Sequence, residues 1–187
     1  MKTSYMNRHT HSGASLIEVL VAILILSFGM LSLGAMLSFS VQLPKLSGYR
    51  ATAANLASSH IERIRANTVG FANNLYSVPI SYVGTFNDDI ALVECAYPNC
   101  NAASLATMDN TYTQKAVRNE LPAGGMLLTC DTDTTTPCSP TSYGNLWIMW
   151  REPSTYAALN PTSSDNCPTG VSGSIPRPRC LYVRFKL

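Results

Sequence analysis

Apolar positions are not spread evenly along this chain. Residues 19–41 read VLVAILILSFGMLSLGAMLSFSV, 23 positions without a charge, and the remainder alternates polar and apolar residues in short periods. At about 1.5 Å rise per helical residue, such a run is long enough to cross a bilayer core of about 30 Å. It exceeds the apolar region of an ordinary signal peptide, roughly 15 residues at most, and no convincing A-x-A site follows it. Pro44 comes next and is expected to kink or restart a helix. Beyond it Leu46, Tyr49, Ala53, Leu56, His60 and Ile64 recur at spacings of three and four, while Arg50, Ser58, Glu62 and Arg65 take other positions round the turn. The pattern predicts helix over residues 15–66, bent near Pro44, with the stripe of the second half packed on a sheet. Gly29 and Gly34 are weak points in the apolar half. His60 on the packed stripe is expected to be a hydrogen-bonded core residue and not a ligand.

Residues 67–87, rich in Asn, Ser and Gly, read as loop, and residues 89–97 (DIALVECAY) as a short strand or extended segment. A helix is expected over 102–121, with Leu105, Met108, Tyr112, Ala116 and Leu121 on one face, stopped by Pro122, Gly124 and Gly125. Three strands follow. Residues 126–130 are short and apolar. Residues 145–152 (NLWIMWRE) are apolar on both faces, as in a central strand, with Trp147 and Trp150 pointing opposite ways. At the C-terminal end Leu181, Val183, Phe185 and Leu187 alternate with Tyr182, Arg184 and Lys186. Residues 153–179, dense in Pro, Ser, Thr, Asn and Gly, form a long intervening loop. The order of elements is α+β: a long helix and a small antiparallel sheet.

Composition sharpens this picture. Charged residues are 13% and hydrophobic ones 46%, with a mean hydropathy of only +0.07, so an apolar piece is joined to a polar one. A net charge of +2 gives no case for nucleic acid. All six cysteines, Cys95, Cys100, Cys130, Cys138, Cys167 and Cys180, fall in the C-terminal half. An even count in loop-rich sequence beyond a membrane segment points to disulfides in an oxidising compartment, and there is no tight C-x2-C pair for zinc. Six cysteines allow fifteen pairings, which the sequence does not resolve. The expected set is sequential, 95–100, 130–138 and 167–180, since each closes a local loop containing turn residues. No metal site and no cofactor are expected. Nor is there a nucleophile motif or a phosphate loop to recommend an enzyme.

One residue does not fit a plain anchor. Glu18 stands at the head of the apolar run, where a carboxylate costs several kcal/mol unless it is paired, protonated or drawn to the interface. Lys2 and Arg8 are the only charges before it, which places the short N-terminus in the cytoplasm. Residues 13–20, Gly-Ala-Ser-Leu-Ile-Glu-Val-Leu, resemble the class III signal of type IV prepilins: a glycine, then polar-Leu-Ile-Glu and an apolar run. The resemblance implies cleavage between Gly13 and Ala14 by a prepilin peptidase, which also methylates the new N-terminus. Ala14 stands where members commonly carry phenylalanine. Glycine at the scissile bond lets the backbone approach a protease closely. Glu18 would then offset the charge of an N-terminal amine, its own or a neighbour's, among packed apolar helices.

Further segments narrow the resemblance. Residues 13–23 (GASLIEVLVAI), 59–67 (SHIERIRAN), 121–125 (LPAGG) and 147–152 (WIMWRE) occur in the order seen in the PilV family of minor pilins, the type IV pilus modification proteins. This implies a type IV pilin-like fold: a long N-terminal helix, transmembrane in its first half, packed on a small antiparallel sheet with disulfide-stapled loops. It implies a leader over 1–13, a transmembrane and assembly helix over 14–43, and a periplasmic head over 44–187. The partners implied are the prepilin peptidase and N-methyltransferase, other minor pilins and the major pilin, and the bacterial inner membrane before assembly into the pilus, with no nucleic acid. A minor pseudopilin of a type II secretion system shares the same leader and helix. A membrane-anchored periplasmic enzyme or binding protein is the reading from another class, and no residue cluster recommends it.

Overall fold

The computed structural model describes residues 13, 15–83, 89–131, 138–152, 165–171 and 177–187. Residues 1–12 of the expected leader, the methylation position Ala14, and most of the 153–179 loop lie outside the described residues. The chain divides into two compact units, Met1–Lys45 and Leu46–Leu187.

Helix α1, Leu16–Ala66, is 51 residues long with Pro44 inside it, the single helix expected over residues 15–66. Within the second unit α1 buries Ala53, Ala57, His60, Ile61 and Ile64, while Arg50, Ser58, Glu62 and Arg65 stay exposed. Ala53, Ala57, Ile61 and Ile64 all join the main core cluster.

Asn67 ends α1 and begins the next element. Its side chain accepts from Gly70 N at 3.1 Å and so caps helix α2, Thr68–Ala72. The same amide donates to Ala102 O at 2.9 Å and to Tyr76 Oη at 3.2 Å. Residues 67–87 are therefore not simply loop: a capped five-residue helix comes first, and Val78 then forms an isolated antiparallel bridge with Leu128. Residues 89–97 are not a strand. Their backbone leans on helix α3, Ala102–Glu120, through Val93 N and Thr111 Oγ1 at 3.3 Å.

Asn101 caps α3, its side chain accepting from Ala103 N and Ser104 N while Ser104 Oγ accepts from Asn101 N, a reciprocal box that fixes the helix start. Helix α3 buries Ala106, Asp109, Asn110, Thr113 and Val117; of the expected face of Leu105, Met108, Tyr112, Ala116 and Leu121, only Leu121 at the C-cap is buried. Polar partners across the interface decide the difference. Tyr76 Oη donates to Asp109 Oδ2 at 2.6 Å, Arg63 Nη1 lies 3.4 Å from Asp109 Oδ1, and Thr113 Oγ1 lies 2.8 Å from His60 Nδ1. A buried polar group with its partner in place packs as well as an apolar one.

The sheet has the order β1-β2-β3, all antiparallel: β1 Gly125–Cys130, β2 Tyr143–Trp150 and β3 Arg179–Lys186. Leu127 faces Trp147 and Trp147 faces Tyr182, which sets the register throughout. One face places Met126, Leu128, Leu146, Ile148, Trp150 and Phe185 in the main core with α1 and Val117. The other face carries a smaller cluster of Tyr82, Leu127, Met149, Val171 and Cys180. Disulfides join Cys95 to Cys100, Cys130 to Cys138 and Cys167 to Cys180. An apolar N-terminal helix, a small three-stranded antiparallel sheet and disulfide-closed loops make this an α+β, pilin-like fold.

His60 gives the head a pH dependence of known sign. The ring is fully buried, and its Nε2 has no hydrogen-bond partner among the described residues. Burial, with the Arg63 guanidinium nearby, lowers its pKa from 6.5 to about 4. The unfolded chain therefore takes up a proton that the folded chain refuses. The contribution is whole above pH 6.5 and is lost as the pH falls toward about 4, a loss of about 3 kcal/mol. Thermal midpoints of wild type and His60→Gln at neutral and mildly acidic pH check this. The variant should show the flatter dependence, and parallel curves would contradict it.

Candidate functional site: the apolar helix and its glutamate

Leu16–Ser38 of α1 is 23 residues with a mean hydropathy of 2.5, and the chain buries none of it. At about 1.5 Å per residue it spans roughly 35 Å, enough for a bilayer core. Leu16, Ile17, Phe28, Leu31 and Met36 are all more than 60% exposed, so the chain supplies no cover for these side chains. At about 25 cal/mol for each Å² of apolar surface, an uncovered helix of this size has no stable place in water. Lipid or other apolar helices must surround it.

The polar groups on this helix are arranged to suit that setting. Ser27 Oγ donates to Ile23 O at 2.7 Å and Ser32 Oγ to Gly29 O at 2.8 Å, so both hydroxyls are satisfied within the helix. Gly29 and Gly34 do not interrupt it. Glu18 lies in the first turn, where its own N–H donates to Ser15 O at 2.9 Å. A carboxylate there favours the positive end of the helix dipole. Two residues before Ser15, Gly13 is exposed, and a β-carbon on it would meet nothing within 4 Å. Among the described residues, no packing contact calls for glycine at 13.

The head holds groups that sequence reasoning passed over. Arg179, at the start of β3, meets Glu152 just past the end of β2, with Nε to Oε2 at 3.1 Å, and reaches Asp165 Oδ2 with Nη1 at 3.1 Å. Arg50 approaches the same Asp165 at 3.7 Å. The signal was available only through the register, which sets Trp150 opposite Arg179. The network ties the start of β3 to the residues just past β2 and to Asp165. Among the described residues, no three His, Cys, Asp or Glu side chains are grouped to hold a metal, and every described cysteine is in a disulfide.

The stretch that carries Gly13 and Glu18 also carries a match to a known family. Residues 8–34 match the model of the prokaryotic N-terminal methylation motif, the class III prepilin leader with its helix. That match supports a type IV pilin-like protein, structural in kind and anchored in the inner membrane by the apolar helix, with a prepilin peptidase as its processing enzyme. No curated protein and no solved structure matches the chain.

Proposed function

We propose that this chain is a minor pilin, similar to the PilV family, that helps initiate or prime type IV pilus assembly. The observation that carries this is the methylation motif over 8–34, set on a helix whose apolar side chains the chain itself leaves uncovered. The prepilin peptidase cuts after Gly13, methylates the amine of Ala14, and so releases residues 1–13 as a leader. Residues 14–43 hold the chain in the inner membrane and then pack among the helices of other minor pilins and the major pilin. Residues 44–187 form the periplasmic head, whose disulfides suit that oxidising compartment. Glu18 offsets the amine charge in the assembled bundle.

Mass spectrometry of the N-terminus of membrane-extracted protein tests the processing step. The expected mature chain begins at N-methylated Ala14. An unprocessed chain, or one starting elsewhere, overturns the prepilin assignment. Co-isolation with pilins, as against the components of a secretion system, separates the minor pilin from a minor pseudopilin with the same leader.

A further inference from the structure

On the sheet face turned away from the main core, the segments 77–80 and 167–170 stand over the strands and leave a cavity of about 670 Å³. Its size falls in the range of small-ligand sites, about 300–1,000 Å³. We propose that this cavity binds a neutral saccharide, whose ring stacks on an outer face of the Trp147–Tyr182 pair and whose hydroxyls bond to Asp131 and Thr129.

The aromatic pair is the main support. Trp147 and Tyr182 face each other across β2 and β3 with ring centroids 4.9 Å apart and planes inclined by 30°, so the two rings stack on one another and leave an outer ring face as a shelf. Such a shelf offers electron-rich π faces to the weakly positive C–H face of a pyranose. Both rings are already fixed. Trp147 Nε1–H donates to Asn166 O at 2.9 Å, and Tyr182 O–H donates to Asn145 Oδ1 at 2.7 Å. Asn145 in turn donates its amide to the Asp131 carbonyl. A ligand therefore meets a surface that needs little ordering, which is where loosely built sites lose affinity.

Charge selects the class of ligand. Among the described residues the lining includes Asp131 and no Lys, Arg or His. Phosphates, nucleotides and carboxylates would meet a like charge with no cation in the lining to offset it, the Arg184 guanidinium on this sheet face being laid over the Tyr143 ring. Asp131 Oδ1 accepts from Tyr143 N at 3.0 Å, which holds the group at the wall, and a carboxylate has room for about four such bonds. A group that only accepts is matched by a ligand rich in hydroxyl donors, and the Thr129 and Ser77 hydroxyls add groups able to give or take.

The frame is rigid on both sides. The Val78–Leu128 bridge ties one wall to β1, and the Cys167–Cys180 disulfide ties the other to β3. The two walls meet at Ile80 and Gly170, where a β-carbon on the glycine would collide with Ile80 Cδ1. This inference does not depend on the chain being a pilin.

The test uses the full chain in a polyoxyethylene detergent, which avoids sugar and choline headgroups. Chitotriose, cellotriose and maltotriose are titrated by tryptophan fluorescence and saturation-transfer NMR. At least one should bind saturably in the millimolar range or tighter. Trp147→Ala should weaken it about tenfold or more. Asp131→Asn, which tolerates the positive φ of 52° at this position and leaves the shelf intact, should weaken it several-fold. If Trp147→Ala does not fold, Asp131→Asn decides alone. Binding of none of the three sugars, or equal binding by a folded variant, overturns the proposal. So does tetramethylammonium binding more tightly than every sugar, since the carboxylate and rings would then be a cation site.

Discussion

A chain carrying Glu18→Val is expected to be cut and methylated like the wild type, yet to be recovered with other pilins about 100-fold less. On the proposed pairing the effect is large, because the substitution removes one partner of a charge pair in an apolar setting. Every described apolar side chain of Leu16–Ser38 is exposed in this chain, so in an assembly this region is covered by lipid and by neighbouring helices. An N-terminal amine drawn into that bundle without a carboxylate costs about 3–5 kcal/mol, and each 1.4 kcal/mol is a factor of ten. Loss of anchoring does not explain such a result, since valine favours the membrane where glutamate opposes it. Glu18→Gln, which keeps the hydrogen-bonding atoms and loses the charge, should behave nearly as badly. Pull-down from membranes, with N-terminal mass spectrometry of the same sample, measures both steps. If the valine variant co-isolates as wild type does, Glu18 has no charge-pairing role and the motif matters only for processing.

The parts of this protein that a single stretch of sequence encodes were legible, and those assembled from distant stretches were not. The uncharged run of 23 residues and the glutamate before it are local, and the family match falls on the same stretch. The last strand was legible for the same reason: Leu181, Val183 and Phe185 alternate because one side of β3 meets the core. Helix α3 had the right extent but the wrong face. Hydrophobicity pointed to Met108 and Tyr112, whereas the fold buries Asp109 and Thr113, whose partners Tyr76, Arg63 and His60 lie 33 to 53 residues away. The short helix α2 was missed because its cap, Asn67, looks like any loop asparagine until Tyr76 and Ala102 converge on it. The cavity was invisible for a like reason. Its shelf pairs Trp147 with Tyr182 through register alone, and its walls come from segments about 90 residues apart in the chain.

The turn between α3 and β1 shows how finely a stop signal is fitted, and the second large effect is expected there. Gly124→Ala should lower the thermal midpoint by about 10 °C, while Ala123→Gly, one residue earlier, should change stability by less than about 1 kcal/mol. Leu121 N donates to Val117 O at 3.1 Å, Gly124 N donates back to Leu121 O at 3.0 Å, and Arg151 N donates to Pro122 O at 2.8 Å. This folds the chain directly onto the last turn of the helix. A β-carbon at Gly124 would collide with the Val117 carbonyl oxygen and lie 2.7 Å from its carbon. Those are backbone atoms, so a rotamer change gives no relief. Gly125 is held as closely, with a β-carbon 2.6 Å from Tyr82 N. Relief requires moving Val117 in the last turn of α3 or the start of β1, both buried in the head, at a cost of about 3 kcal/mol or more. For a chain of this size, that is about 10 °C. Ala123 presents the opposite case. It holds φ at 49° and is 1% exposed. Glycine there would relieve about 1 kcal/mol of left-handed strain. It would also lose a buried methyl worth about 0.8 kcal/mol and loosen the unfolded chain by about as much. Circular dichroism melts of the two variants measure the contrast. A Gly124→Ala protein melting with the wild type would mean that the turn has slack and that the glycine answers some other need than close packing on Val117.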